Sequence, residues 1–89
     1  MSYRLQFLPK ALKAFGKLNP DTKEKFKKQL KLRLKNPKIE KHRLHSDYQG
    51  HYKIKLHSIG YRLIYKVVEE SSTVIVVEVD RRDKIYKNH

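Results

Sequence analysis

The sequence contains no cysteine, has three glycines and three prolines, and carries nine acidic residues against 22 lysines and arginines. Without cysteine there is neither a disulfide framework nor a thiolate metal site, which fits a reducing cytoplasm. No Gly/Ser-rich stretch separates parts of the chain, and there are no internal repeats. No apolar run approaches the length of a membrane span. Residues Met1 to Pro9 lack the apolar core of a signal peptide. At 89 residues the chain is read as one domain, 1–89, with one modest core and no room for a separate cofactor domain.

What is abundant is positive charge. The formal net charge is +13, and so basic a small domain projects a field that favours polyanions. Nucleic acid is the first expected partner, an acidic protein the second and an anionic membrane the third. The plain alternative is a solvated lysine surface.

Residues Ser2 to Leu8 alternate, with Tyr3, Leu5 and Phe7 on one side and Arg4 and Gln6 on the other, so a strand is expected. Pro9 opens a short helix with Ala11, Leu12 and Phe15 inward and Gly16 near its end. Asn19-Pro20-Asp21 starts a second helix: a capping side chain, a proline at the first position and an acid at the positive end of the dipole. It runs to about Lys35, where Asn36-Pro37 stops it. Its apolar stripe is Thr22, Phe26, Leu30 and Leu34. The other face is basic, with Lys23, Lys25, Lys27, Lys28, Lys31, Arg33 and Lys35. Leu32 lies off the stripe.

Residues 38–50 read as a loop closed by Gly50. Three strands follow, His51 to His57, Tyr61 to Val68 and Thr73 to Arg82, joined by short turns at Ser58-Ile59-Gly60 and Glu69 to Ser72. Short connections imply an antiparallel meander. Val74 to Val77 is apolar throughout, as in a central strand. The order β-α-α-β-β-β predicts an α+β fold, a helical hairpin packed on a mainly antiparallel four-stranded sheet.

The faces of the meander carry the chemistry. Tyr52, Ile54 and Leu56 point one way; Lys53, Lys55 and His57 point the other. An even turn sets His57 opposite Arg62, Lys55 opposite Ile64 and Lys53 opposite Lys66, on one cationic face. Along the last strand Ile75, Val77 and Val79 share one parity, and Glu78, Asp80 and Arg82 the other, joined to that face. A slip of one residue would reverse these sets. A solvated antiparallel face normally mixes charges. Lys53, Lys55 and Arg62 with Arg82 nearby are expected to hold phosphates, the alternative being an ordinary solvated face.

The stretch Tyr52-Lys53-Ile54-Lys55-Leu56-His57-Ser58-Ile59-Gly60-Tyr61-Arg62-Leu63-Ile64-Tyr65 resembles the core signature of RelE toxins. The ending Val79-Asp80-Arg81-Arg82-Asp83-Lys84-Ile85-Tyr86 resembles their C-terminal signature, and Phe7-Leu8-Pro9-Lys10-Ala11-Leu12-Lys13 with Pro37 and Leu44 also fits. Gly-Tyr-Arg-Leu-Ile-Tyr marks the wider RelE/ParE superfamily; the Lys-x-Lys before it favours the ribonuclease branch. The resemblance implies a toxin of a type II toxin–antitoxin system that cuts messenger RNA in the ribosomal decoding site. It assigns Lys53, Lys55, Arg62, Arg82 and Tyr86 to the active site. His57 departs from the arginine common there, and Asp80 from the usual glycine. It further implies an acidic cognate antitoxin, joined in a hetero-oligomer, with the ribosome and mRNA as the other partners and no membrane.

The residue types suit attack by the RNA 2′-hydroxyl on its own phosphate. Arg62 and Arg82 can stabilise charge that grows in the transition state. A lysine among other cations has its neutral form favoured, so Lys53 or Lys55 can serve as base or acid. Tyr86 can stack on a base. No cofactor and no metal is expected. His42-x-x-His45 lacks a third ligand and reads as loop histidines; His51, His57 and His89 read as surface. Tyr3, Tyr52, Tyr61 and Tyr65 read as core or sheet residues. Lys27, Lys28 and Lys31, with His57 and Arg81, are expected to contact RNA or the ribosome without reading sequence. Two rivals stand beside the nuclease: a ParE-like toxin that poisons DNA gyrase through protein contacts, and a fold that only binds RNA.

Overall fold

The computed structural model of the chain describes residues 2–44, 49–56 and 60–81. Strand β1 (Arg4–Phe7) leads into helix α1 (Pro9–Gly16) and helix α2 (Pro20–Lys35). A 3-10 turn at Glu40–His42 precedes β2 (His51–Leu56), β3 (Tyr61–Val68) and β4 (Thr73–Arg81). Strand β1 is therefore shorter than the alternation suggested.

The helix boundaries follow their local signals. Both helices begin with proline in the first turn, where its missing N–H has no intrahelical partner to lose. The Asn19 side-chain oxygen accepts the Thr22 backbone N–H at 2.8 Å, a cap that contributes about 1 kcal/mol. The chain leaves α2 at Asn36, whose backbone is extended in φ ahead of Pro37.

The sheet has the order β1-β4-β3-β2. Strand β1 runs parallel to β4, with Leu5 beside Val74 and Phe7 beside Val76. The other pairs are antiparallel. Strand β4 is thus central, as its apolar run implied. Gly60, at φ 76°, closes the β2–β3 turn with its N–H on the Leu56 carbonyl.

Both helices pack on one face of the sheet. Ala11, Phe15, Leu18, Phe26 and Leu30 meet Tyr52, Ile54, Leu63, Tyr65, Val74, Val76 and Val79. Phe26 is fully buried, so truncating it to alanine should cost about 3–5 kcal/mol. Two helical expectations fail. Leu12 lies outside this core and is 55% exposed; α1 is a single short element that Ala11 and Phe15 already seat. Arg33, read as part of the basic face, is 5% exposed.

The strand register also departs from expectation, by two residues. Lys55 is opposite Arg62, Lys53 opposite Ile64 and His51 opposite Lys66. A shift of two keeps every side chain on its face. In β4 the pairing jumps from Ile64↔Glu78 to Tyr65↔Val76, leaving Val77 as a bulge. The extra residue breaks the simple parity. Val79 joins Val74 and Val76 on the helical face, whereas Ile75 falls with Glu78 and Asp80 on the other.

Candidate active site

The sheet face away from the helices carries the candidate site. Strand alternation sends Tyr52 and Ile54 into the core and Lys53 and Lys55 outward. Arg62 stands between Lys55 on β2 and Asp80 on β4; Ile64 stands between Lys53 and Glu78. Directly opposed side chains start roughly 5 Å apart. Lys53, Lys55 and Arg62 therefore form one close group, which β4 borders with two carboxylates. Lys53 and Lys55 are half-buried. Arg62 is 2% exposed, so the lysines are the more accessible cations of the group. Among the described residues, Glu78 Oε2 is buried without a hydrogen-bond partner. The Asp80 carboxylate accepts the Arg81 backbone N–H at 2.7 Å.

Other predicted residues lie elsewhere. Arg81 is opposite Tyr61 and on the helical side of the sheet. There it lines an open notch of about 430 Å³ with Lys10, Lys13, Lys17, Tyr61 and Val79. Lys27, Lys28 and Lys31 are exposed on α2, in the helical layer. Lys27 and Lys31 border an apolar groove of about 250 Å³ formed by Leu5, Phe7, Phe15, Leu30 and Leu34. The helical lysines and the β2 lysines are thus on opposite faces of the sheet. His57, Arg82 and Tyr86 lie outside the described residues.

Two groups lie near the lysines that the sequence reading placed elsewhere, Arg33 on the basic helical face and His42 in a loop. The first is Arg33, whose Nη1 donates to the Lys53 carbonyl at 3.0 Å and to the Tyr65 hydroxyl at 2.9 Å. Tyr65 in turn donates to the Pro37 carbonyl at 2.7 Å. Burial raises the Tyr65 phenol above its ordinary value, and the Arg33 hydrogen bond opposes the rise. The signal for Arg33 was its spacing, seven after Phe26 and three after Leu30, on the apolar stripe itself.

The second is His42. Arg43 bridges to Tyr52, and the Leu44 N–H donates to the His51 carbonyl at 2.9 Å. This lays the 42–44 segment along the outer edge of β2. The His42 imidazole is held below the usual histidine value by burial first, then by Arg33, Lys41, Lys53 and Lys55. No periodicity in the sequence could have announced it. Among the described residues no cluster of histidine and acidic side chains could hold a metal ion.

Comparison with known proteins gives a consistent picture. The family model described as ParE toxin of type II toxin-antitoxin system, parDE, matches residues 5–86. The chain is 42% identical over 84 residues to the mRNA interferase toxin RelE of Escherichia coli (strain K12), covering 94% of this chain and 87% of that one. The crystal structure of the isolated E. coli RelE toxin matches with a TM-score of 0.87 at 40% identity, covering 97% of this chain and 93% of the other. A chain of the intact E. coli RelBE toxin-antitoxin complex matches with a TM-score of 0.87 at 41% identity, covering 90% and 96%.

Proposed function

The chain belongs to the RelE/ParE family of type II toxin–antitoxin toxins, and we propose that it acts as an endoribonuclease that cuts messenger RNA on the ribosome and so stops translation. The observation that carries this reading is the grouping of Lys53 and Lys55 with Arg62 on the sheet face away from α1 and α2. Those residue types on that face suit a phosphodiester, and the similarity to an mRNA interferase over most of the chain supports the same substrate.

In the proposed reaction the 2′-oxygen of the RNA loses its proton and attacks the adjacent phosphorus. The bond to the 5′-oxygen breaks, and that oxygen takes up a proton. The products are a 2′,3′-cyclic phosphate and a 5′-hydroxyl. Lys53 and Lys55 exchange the protons or balance the charge of the phosphorane. Arg62 and Arg82 stabilise the charge that develops on its oxygens. Tyr86 stacks on a base. Arginine holds its proton too firmly to act as the base, which leaves that role to the lysines. The ribosome orients the RNA, replacing much of what a larger enzyme would build for itself. Lys27, Lys28 and Lys31 give the protein a basic helical surface for ribosomal RNA.

The toxin works in the cytoplasm, where the ribosomes are, as a single domain. It is silenced by an acidic antitoxin in a hetero-oligomer, as relatives crystallised with RelB suggest. Among the described residues no helix is long and apolar enough to cross a membrane.

The test is to add purified protein to mRNA-programmed ribosomes and map new 5′ ends. New 5′-hydroxyl ends inside the decoding site, unaffected by chelator, are expected. Products with 5′-phosphates, or cutting abolished by EDTA, would reject the mechanism. Intact mRNA together with inhibited gyrase supercoiling would favour the gyrase-poisoning alternative.

A further inference from the structure

Arg33 is costly to bury. A guanidinium removed from water needs a counter-charge or a full set of acceptors, and among the described residues no carboxylate pairs with it. Packing alone does not call for arginine there, because Phe26, Leu30 and Leu34 around it make an ordinary apolar stripe. What Arg33 does is join three segments. Its Nη1 reaches the Lys53 carbonyl on β2 and the Tyr65 hydroxyl on β3, and the Tyr65 hydroxyl in turn donates a hydrogen bond to the Pro37 carbonyl beyond α2. The guanidinium carbon also lies 5.8 Å from the centre of the Tyr65 ring.

The choice of the Lys53 carbonyl has a geometric reason. Strand β2 is at the edge of the sheet. The His51 carbonyl points outward from β3, since it accepts from Leu44. Two residues on, the Lys53 carbonyl points the same way, and Arg33 satisfies it. The 43–44 segment covers that outer edge at His51 and Tyr52, and an edge strand is the least constrained part of a sheet. Here it carries both lysines.

We propose that Arg33 is a positioning residue for this site: by holding the Lys53 carbonyl from the helical side, it fixes where the Lys53 ammonium stands on the other. This rests on the reading of Lys53 as a nuclease residue. A displacement of even about 1 Å at a reacting group can cost on the order of a hundredfold in rate. Arg33 also leaves a reporter. His42 is faced by Arg33 from α2, by Lys41 from its own turn and by Lys53 and Lys55 from β2. Removing the Arg33 charge should move its titration upward.

The experiment compares Arg33→Met, Arg33→Lys and Lys53→Ala in the full chain. Arg33→Met keeps length and apolarity but removes charge and donors. The expected result is a loss of about tenfold or more in kcat on programmed ribosomes with KM unchanged. It should come with a changed carbonyl carbon-13 shift at Lys53 and a raised His42 titration midpoint by NMR. Arg33→Lys should keep His42 near its wild-type midpoint but leave kcat low, since the lysine Nζ stops one bond short of the Nη1 that makes both contacts. Wild-type kcat in Arg33→Met beside an inactive Lys53→Ala overturns the positioning role alone, as does a loss confined to KM. Wild-type cleavage by Lys53→Ala overturns the nuclease assignment of Lys53, and the role of Arg33 with it. Should Arg33→Met not fold, Arg33→Lys carries the comparison: intact kcat there overturns the proposal.

Discussion

Lys55 stands directly across the β2–β3 ladder from Arg62, and Lys53 lies two residues along on the same face. Asp80 of β4 faces Arg62 from the other side, so the cations share their face with a carboxylate. Under the nuclease reading, a phosphodiester held beside Lys55 and Arg62 is attracted most strongly when its own charge increases in the transition state.

Under the nuclease reading, Lys53→Ala and Lys55→Ala should each slow cleavage of ribosome-bound mRNA by about a hundredfold or more, the usual range for removing an acid or base. Ribosome binding should weaken only slightly, because one charge among many contributes little to a polyelectrolyte contact. Single-turnover cleavage at saturating ribosomes checks both. Equal loss of rate and binding would mean that the lysines only hold RNA.

Arg81 and Arg82 should behave differently. Arg81 lies on the helical side of β4, so Arg81→Ala should reduce toxicity modestly. Arg82→Ala should abolish killing on expression while leaving ribosome sedimentation nearly unchanged. The reverse pattern would assign the catalytic role to the notch beside α1, and lethality of both variants would favour the gyrase alternative.

Tyr65→Phe removes the hydroxyl that connects Arg33 and Pro37. It leaves the Pro37 carbonyl and one guanidinium donor without that buried partner, at a cost of about 1–3 kcal/mol. Urea unfolding should show a lower midpoint with an unchanged m-value. An unchanged midpoint would mean that solvent replaces the hydroxyl.

The exposed group of Tyr3, Lys38 and Glu69 gives a pH signature. Lys38 meets Glu69 at 2.9 Å, and the Tyr3 hydroxyl donates to the same carboxylate. Hydrogen bonds from Lys38 first, then Tyr3, hold the Glu69 carboxyl below its ordinary value near 4.5. A depressed carboxyl contributes stability above its unfolded pKa and loses it as pH falls through the folded value. Glu69→Gln should therefore lower the thermal midpoint at neutral pH, and the difference from wild type should shrink towards pH 3. A constant difference across that range would rule out the carboxylate as its source.

The antitoxin prediction is kinetic. A toxin of net charge +13 meeting an acidic partner should associate more slowly as salt rises, because screening weakens long-range steering. Stopped-flow measurements from low to high salt test this. A salt-independent on-rate would remove electrostatic steering from the account.

Much of the fold was legible because its signals are local. Asn19 and Pro20 start α2 and Asn36-Pro37 ends it through contacts spanning a few residues. The alternation in His51–Leu56 separates Tyr52 and Ile54 from Lys53 and Lys55 whatever the partner strand. The family signature likewise lies in short stretches of sequence. The grouping of Lys53, Lys55 and Arg62 on one face was therefore readable, and it tolerated a register error of two residues.

Long-range packing decided the rest. The parallel pairing of β1 with β4, and hence the strand order, depends on which edge the returning chain reaches, and no local preference encodes that. The bulge at Val77 sends Ile75 to the outer face and Val79 to the core, because the paired strands must be brought into register by one extra residue. Leu12 remains exposed although its spacing indicated otherwise, and Arg33 becomes buried although its charge indicated otherwise. A helix position is buried by what packs against it, and at Arg33 that is the edge carbonyl of Lys53 and the Tyr65 hydroxyl. Charge, residue type and strand parity were properties of the sequence; the contact joining α2 to the lysine-bearing strand exists only after residues 33, 53 and 65 have been brought together.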